Sequence, residues 1–121
     1  MTSIFDDKRY DFLGVPVDAL TSDEALELVK ELARDAEPSH VLFLNVDVMV
    51  KADKNPALKD AIAHCDLSLM DGMPPLKVAQ KRGIPLPEKV SGSDFVPAVC
   101  AMAEREGCSV FILGCKDGVP E

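Results

Sequence analysis

The order of apolar and polar residues along the chain predicts strands that alternate with helices. Continuous apolar runs at 41–44, 66–70 and 109–113 predict buried strands, because a strand covered on both faces has no polar side to present. A segment at 10–18 alternates apolar and polar residues and predicts a strand or hairpin at the start of the chain.

The segments between these runs carry helix signals. Thr21 and Glu24 have the spacing of a capping box, in which each residue satisfies a backbone N–H of the other. Asn55 followed by Pro56 fits an N-cap and the first helical position. Helices are predicted from Thr21 to before Pro38, over 46–52, from Asn55, and over 75–82 and 94–106, with Ser91 or Ser93 as the last N-cap.

This alternation predicts an α/β protein with a Rossmann-like three-layer α/β/α architecture and a mostly parallel sheet. The 121 residues suit one domain or most of one, so 1–121 is interpreted as a single, partial domain. A strand-end loop and what looks like a helix start follow 109–113, without a further helix to cover the sheet. We therefore expect that the C-terminal part of the domain is missing or that a partner chain supplies this layer.

Composition and charge exclude several classes of protein. The net charge of −8, without clustered Lys and Arg, argues against a nucleic-acid partner. No apolar stretch approaches the ~20 residues of a membrane span, and the N-terminus lacks the apolar core of a signal peptide, which predicts a cytoplasmic location. The four cysteines and two histidines lack metal-ligand spacing, so no metal site is predicted and the thiols are expected to be reduced.

A polar or small residue follows each of the three apolar runs. Asn45 follows the first, Asp71 the second and Gly114 the third. Because ligands in open α/β sheets bind just beyond the carboxyl ends of the strands, these residues predict the rim of a pocket. A carboxylate at that place can accept a proton or a hydrogen bond from a substrate hydroxyl.

Four segments, in order and at similar spacing, resemble the WecG/TagA/CpsF family of bacterial glycosyltransferases. The segment 41–47 resembles the family pattern T-x-N-x-E/D, and 65–74 resembles A-D-x-x-x-x-D-G. The segment 85–94 resembles P-L-P-E-R-V-x-G-x-D, and 110–119 resembles V-F-L-L-G-x-x-x-G-V. Each pattern is weak alone, but the ordered set covers nearly the whole chain and is specific.

The resemblance implies an inverting enzyme that needs no metal or cofactor. It would transfer an amino-sugar of the N-acetylmannosamine type, or a related hexose, from a UDP-sugar to a polyprenyl-diphosphate-linked saccharide. The products would feed wall teichoic acid, enterobacterial common antigen or exopolysaccharide synthesis. The resemblance also implies peripheral contact with the inner face of the cell membrane through a missing C-terminal segment, and self-association is left open.

By the same resemblance, Asp71 is the general base that takes the proton of the acceptor hydroxyl. Asn45 would hydrogen-bond the sugar or acceptor, and Gly72 completes the Asp-Gly element. Gly92 and Asp94 open a helix, whose N-terminus favours phosphate oxygens.

Gly114, Phe43 and Lys89 complete the predicted substrate-binding set. Gly114 would let the backbone approach the nucleotide. The chain departs from the family at Phe43, which replaces a Thr, and at Lys89, which replaces an Arg whose planar fork binds carboxylate or phosphate bidentately.

Each candidate residue also has a purely structural interpretation. Asp71 with Gly72 is typical of a turn at a strand end, and Asn45 suits the N-cap of the next helix. Asp94 fits a first-turn helix acid, and Lys89 fits a solvated loop charge.

Two other functions therefore stay open. The chain could be a truncated or degenerate, non-catalytic relative that acts as a binding or assembly module. It could also be another Rossmann-like nucleotide binder, although the lack of G-x-G-x-x-G after any strand argues against NAD or FAD.

Overall fold

The computed structural model describes residues 6–35 and 37–114. Within these ranges the chain forms a hairpin and then helices that alternate with two further strands. In chain order the elements are a 3-10 turn at Asp6–Lys8, β1 at Arg9–Phe12, β2 at Val15–Asp18, α1 at Ser22–Ala33, β3 at Val41–Leu44, α2 at Val46–Lys54, α3 at Pro56–Ala63, β4 at Leu67–Met70, α4 at Met73–Lys81 and α5 at Gly92–Glu106. This arrangement confirms the α/β class.

Side-chain caps start the first three helices at the predicted residues. Thr21 Oγ1 accepts a hydrogen bond from the N–H of Glu24 at 3.1 Å, and the Glu24 carboxylate accepts from the N–H of Thr21 at 3.0 Å. Asn45 and Asn55 each accept from the N–H three residues further on, at 2.9 and 3.1 Å. The capping box of α1 and the N-cap of α3 are therefore confirmed.

Strands β3 and β4 form a parallel pair with helices on both faces. Leu44 lies opposite Met70, and both side chains pack with buried residues of α2, α3 and α4. Leu67 and Leu69 point to the other face and pack with α1 and α5. Because successive strand residues point to opposite faces, this pattern produces the predicted three layers around a strand that is buried throughout.

The hairpin β1–β2 covers the outer side of β4 through a buried carboxylate. Asp18 is 7% exposed, and its two oxygens accept from Nε and Nη2 of Arg9, each at 2.8 Å. The same carboxylate accepts from the N–H of Ser68 on β4 at 2.7 Å, and Arg9 also donates to the Cys65 carbonyl at 3.0 Å. The hydrogen bond to Asp18 raises the pKa of Arg9, and burial raises the pKa of the Cys65 thiol.

The prediction of a strand at 109–113 is wrong for this structure. Residues 108–114 have no regular secondary structure, and their apolar side chains are exposed. An apolar run becomes a strand only where a neighbouring strand accepts its backbone hydrogen bonds, and this segment pairs with neither β3 nor β4.

The last two helices begin two residues earlier than predicted. Helix α4 begins at Met73 rather than at Pro75, because proline is tolerated in the first turn, where its missing N–H has no partner to lose. Helix α5 begins at Gly92 rather than at Asp94. None of the helices in the two described ranges is both long and apolar enough to cross a bilayer.

Candidate functional site

Asn45 and Asp71 leave neighbouring parallel strands at the same level. The N–H of Asp71 donates to the carbonyl of Leu44 at 2.8 Å, which continues the ladder of the strand pair by one residue. Both side chains are partly buried. The two predicted rim residues therefore lie side by side at the carboxyl edge of the sheet, which we call the strand-end edge.

Asn45 has a structural task at this edge. Its Oδ1 accepts from the N–H of Val48 at 2.9 Å and caps α2. This bond leaves both hydrogens of the side-chain amide available as donors to a ligand. The N-cap interpretation is confirmed, and the ligand role stays a prediction.

Asp71 meets the start of α5, which follows much later in the sequence. Its Oδ2 lies 3.5 Å from the backbone nitrogen of Gly92, the first residue of that helix. The preceding loop is held against β4 by a hydrogen bond from the N–H of Val90 to the carbonyl of Met70, at 2.7 Å. The second and third family-like segments thus converge on one carboxylate.

Phe43 supports the start of α5 by packing. A Cβ added to Gly92 would lie 3.6 Å from the Phe43 ring, so the helix backbone passes directly over it. The ring also meets Phe95 edge to face, with centroids 5.9 Å apart. Phe95 was not among the predicted site residues. Its only sequence signal is its position one helical turn after Gly92.

Among the helices that begin at the strand-end edge, α4 and α5 lack side-chain caps. Gly72 precedes α4 and has no side chain to offer, and its φ of +126° suits glycine alone. Ser91 precedes α5, but its hydroxyl pairs with that of Ser93 at 2.9 Å instead of capping the helix. Pro74 and Pro75 in the first turn of α4 have no N–H, so α4 offers an anion the N–H of Met73 alone. Helix α5 offers the N–H of Ser93 and that of Gly92, which already faces Asp71.

Three of the predicted site residues have no described contact with the strand-end edge. Lys89 lies exposed in the loop before α5, without an ion pair to any described residue. Asp94 is exposed in the first turn of α5. Gly114 is exposed in the unpaired segment, and a Cβ there would meet nothing within 4 Å.

An apolar groove of about 410 Å³ lies between the hairpin turn, α2 and α4. Both helices start at the strand-end edge, so the groove adjoins Asn45 and Gly72. It is lined mainly by apolar side chains, among them Leu13, Val46, Met49, Val50, Pro74 and Val78. The sequence did not predict the groove. The spacing of apolar residues shows that a helix has an apolar face, but not whether the fold covers that face.

The described ranges contain no group of three or more His, Cys, Asp or Glu side chains that could hold a metal ion. The model of the Glycosyl transferase WecG/TagA/CpsF family matches residues 10–121, which includes every residue of the strand-end edge. The chain belongs to the WecG/TagA/CpsF glycosyltransferase family. A search of curated proteins found no match to it.

Membership of the WecG/TagA/CpsF family confirms the resemblance drawn from the four segments. It assigns glycosyl transfer to the chain in general, with a sugar donor and an acceptor as substrates. In this glycosyltransferase the departure at Phe43 has a visible structural role, because the ring packs between Gly92 and Phe95. The departure at Lys89 has no explanation in the structure.

Proposed function

We propose that this glycosyltransferase is inverting and uses Asp71 as its general base. Its donor would be a UDP-linked amino-sugar of the N-acetylmannosamine type or a related hexose, and its acceptor a polyprenyl-diphosphate-linked saccharide. The observation that carries the proposal is the partly buried Asp71 carboxylate at the strand-end edge, beside Asn45 and the start of α5. A carboxylate on a rigid strand end is well placed to act on a bound hydroxyl.

In the proposed reaction, the acceptor hydroxyl oxygen attacks the anomeric carbon of the donor. The bond from that oxygen to the anomeric carbon forms while the bond to the UDP oxygen breaks, and the electron pair leaves with UDP. Asp71 takes the hydroxyl proton. A single displacement on the face opposite to the leaving group inverts the anomeric centre.

The uncapped starts of α4 and α5 support a diphosphate at this edge. The N–H groups of Met73, Gly92 and Ser93 and the positive ends of the two helix dipoles stabilise negative charge, which grows on UDP as it leaves. The side-chain amide of Asn45 would donate to a hydroxyl of the sugar or acceptor. Lys89, Gly92, Asp94 and Gly114 remain proposed contacts of the donor.

The apolar groove supports an acceptor that carries a hydrocarbon chain. Val46, Val50 and Val78 line it and are each 45–54% exposed, so they offer apolar surface that water covers. At roughly 25 Å³ per carbon, the scale of benzene in a 150 Å³ protein cavity, a groove of about 410 Å³ takes some fifteen carbons. Such an acceptor would bring the enzyme to the cytoplasmic face of the membrane, where teichoic acid or exopolysaccharide precursors are built.

Calorimetric titration of the 121-residue chain with UDP tests the donor assignment. We expect saturable heat with UDP below millimolar concentration and much weaker binding of ADP as the matched control nucleotide. No heat at millimolar UDP would contradict the proposal. Equal binding of ADP would contradict the choice of uridine while leaving a nucleotide site.

A second candidate is a non-catalytic binding or assembly module. The observation that favours it is Phe43, whose ring fills the position of the family Thr against Gly92. Incubation with UDP-N-acetylmannosamine and a short-chain prenyl-diphosphate saccharide separates the two functions. Release of UDP that depends on the acceptor supports the enzyme, whereas donor binding without release supports the module.

A further inference from the structure

Strand β3 has an open edge. Among the described residues its only strand neighbour is β4. The far side of β4 is covered by the hairpin, through the bond from Ser68 to Asp18 at 2.7 Å. A further strand can therefore join this pair only beside β3.

The open edge of β3 carries backbone groups that point away from β4. The carbonyls of His40 and Leu44 accept hydrogen bonds from the β4 side. Because backbone groups alternate in direction along a strand, those of Val41 and Phe43 point to the opposite edge. Both residues are only partly buried. An unpaired strand edge of this kind is a template for another strand.

The segment 109–113 has the composition to occupy this edge. Val110 and Ile112 are 53% and 70% exposed, and Phe111 and Leu113 are 87% and 89% exposed. A continuous apolar run suits a parallel strand that is buried on both faces, and leaving it in water is unfavourable. Its five residues are enough to pair along all four residues of β3.

The segment also starts at the correct end of β3. Helix α5 packs against α1, and Glu106 at its end pairs with Lys30 and Arg34 at the end of α1. From Arg34 the chain goes on into β3, so both β3 and 109–113 start from the same end of the α1–α5 pair. A strand that runs on from α5 would therefore be parallel to β3.

The handedness of the connections selects the same edge. Helices α2 and α3 connect β3 to β4 across one face of the sheet, while α5 packs on the other face. Crossover connections between parallel strands are right-handed in about 98% of cases. A right-handed connection over the face of α5, the helix that leads into 109–113, therefore runs in the opposite direction, from β4 across β3 to the open edge of β3.

We infer that 109–113 docks as a third parallel strand on the open edge of β3, and that the structure shows the undocked arrangement. Docking places Gly114 beside Asn45 at the strand-end edge, so the rim proposed for the donor is completed by this movement. The consequence for Gly114 rests on the proposed function, but the docking itself does not.

Amide hydrogen exchange of the full 121-residue chain, resolved by residue with NMR, tests the docking without any nucleotide. We expect at least one of the Val41 and Phe43 amides to exchange at least about tenfold more slowly in the native chain than in the Phe111→Asp variant. The Val96→Asp variant is the matched control, because Val96 is 50% exposed on α5 and lies outside the segment. Its exchange at β3 should equal that of the native chain.

Two outcomes would overturn the inference. Amides of Val41 and Phe43 that both exchange as fast in the native chain as in Phe111→Asp would show that the edge stays open. Protection that increases with protein concentration would show that the strand comes from a second copy rather than from the same chain. A failure to bind UDP would contradict the proposed function and leave this result untouched.

Discussion

The N–H of Asp71 donates to the carbonyl of Leu44 at 2.8 Å, and this bond fixes the candidate base relative to β3. The bond extends the parallel ladder one residue beyond the end of β4. The backbone of Asp71 is therefore held in a strand position rather than in a turn. Asn45 follows Leu44 directly, so the same bond sets the spacing between the carboxylate and the amide. Sites built on strands hold their groups more precisely than sites on loops.

Replacement of Asp71 by Asn is expected to abolish most sugar transfer. Asn keeps the size of the side chain but has no carboxylate to accept the proton, and a general base contributes about 10²–10⁴-fold to a rate. We therefore expect kcat to fall by about that factor, with UDP affinity changed less than about threefold. Transfer kinetics and UDP titration of the same preparation measure both.

Asp60→Asn is the matched control for this variant. Asp60 lies on α3, outside the four family-like segments, and its 76% exposed side chain pairs with His64 on the same stretch of chain. Such an exposed pair contributes little, so kcat should remain within about twofold of the native value. Full transfer activity in Asp71→Asn would remove the base assignment.

The two glycines at the edge are expected to differ in their tolerance of alanine. Gly72 has a φ of +126°, where a side chain is strained by about 1–3 kcal/mol, so Gly72→Ala should lower the free energy of unfolding by that amount. Gly92 has an ordinary φ, and its added Cβ would meet the Phe43 ring at 3.6 Å, which is normal contact. Gly92→Ala should therefore change the stability by less than about 1 kcal/mol. Urea unfolding of both variants checks the difference, and equal losses would contradict the conformational argument.

The carboxylate of Asp18 is expected to matter more for stability than any surface acid of the hairpin. Asp18→Asn keeps one acceptor oxygen for Ser68 but removes the charge that pairs with both nitrogens of Arg9. Loss of a buried pair costs about 3–5 kcal/mol, and because Arg9 is 31% exposed we expect about 2–3 kcal/mol. Asp11→Asn on the exposed side of β1 is the control and should change the unfolding free energy by less than about 0.5 kcal/mol. Equal losses of unfolding free energy in the two variants would contradict a stabilising role of the Arg9–Asp18 pair.

The local elements of the fold could be predicted because their signals are local. Thr21, Asn45 and Asn55 cap the helices that the sequence assigned to them, since a capping side chain needs only the next three residues. The apolar runs at 41–44 and 66–70 became a parallel pair because a long connection separates them. The run at 109–113 carries the same signal but has no partner strand in the structure.

The site could be predicted only in part, for the same reason. Asn45 and Asp71 follow strands whose ends necessarily meet, so their proximity follows from the topology. The contact of Gly92 with Phe43 depends on how α5 packs over the sheet, which no short segment encodes. The groove beside α2 likewise depends on what the fold leaves uncovered.

The capping box of α1 predicts a specific loss of stability in acid. The hydrogen bond from Lys8, followed by that from the N–H of Thr21, lowers the pKa of Glu24 below its ordinary value of 4.5. Because the folded-state pKa lies below the unfolded one, the contribution is present above pH 4.5 and is lost as the pH falls through the folded-state pKa. The free energy of unfolding should therefore decrease from about pH 5 to pH 3, in part through this group. Glu24→Gln keeps the hydrogen-bonding shape but cannot titrate.

We expect Glu24→Gln to flatten the acid limb of the stability profile, while Glu27→Gln leaves it unchanged. Glu27 lies on the same helix with an exposed side chain and so serves as the matched control. Urea unfolding at closely spaced pH values gives the slope, which measures the difference in bound protons between the unfolded and folded states. If Glu24→Gln kept the native slope between pH 5 and pH 3, the acid sensitivity would have to arise from other carboxylates, and the bond from Lys8 would have no part in it.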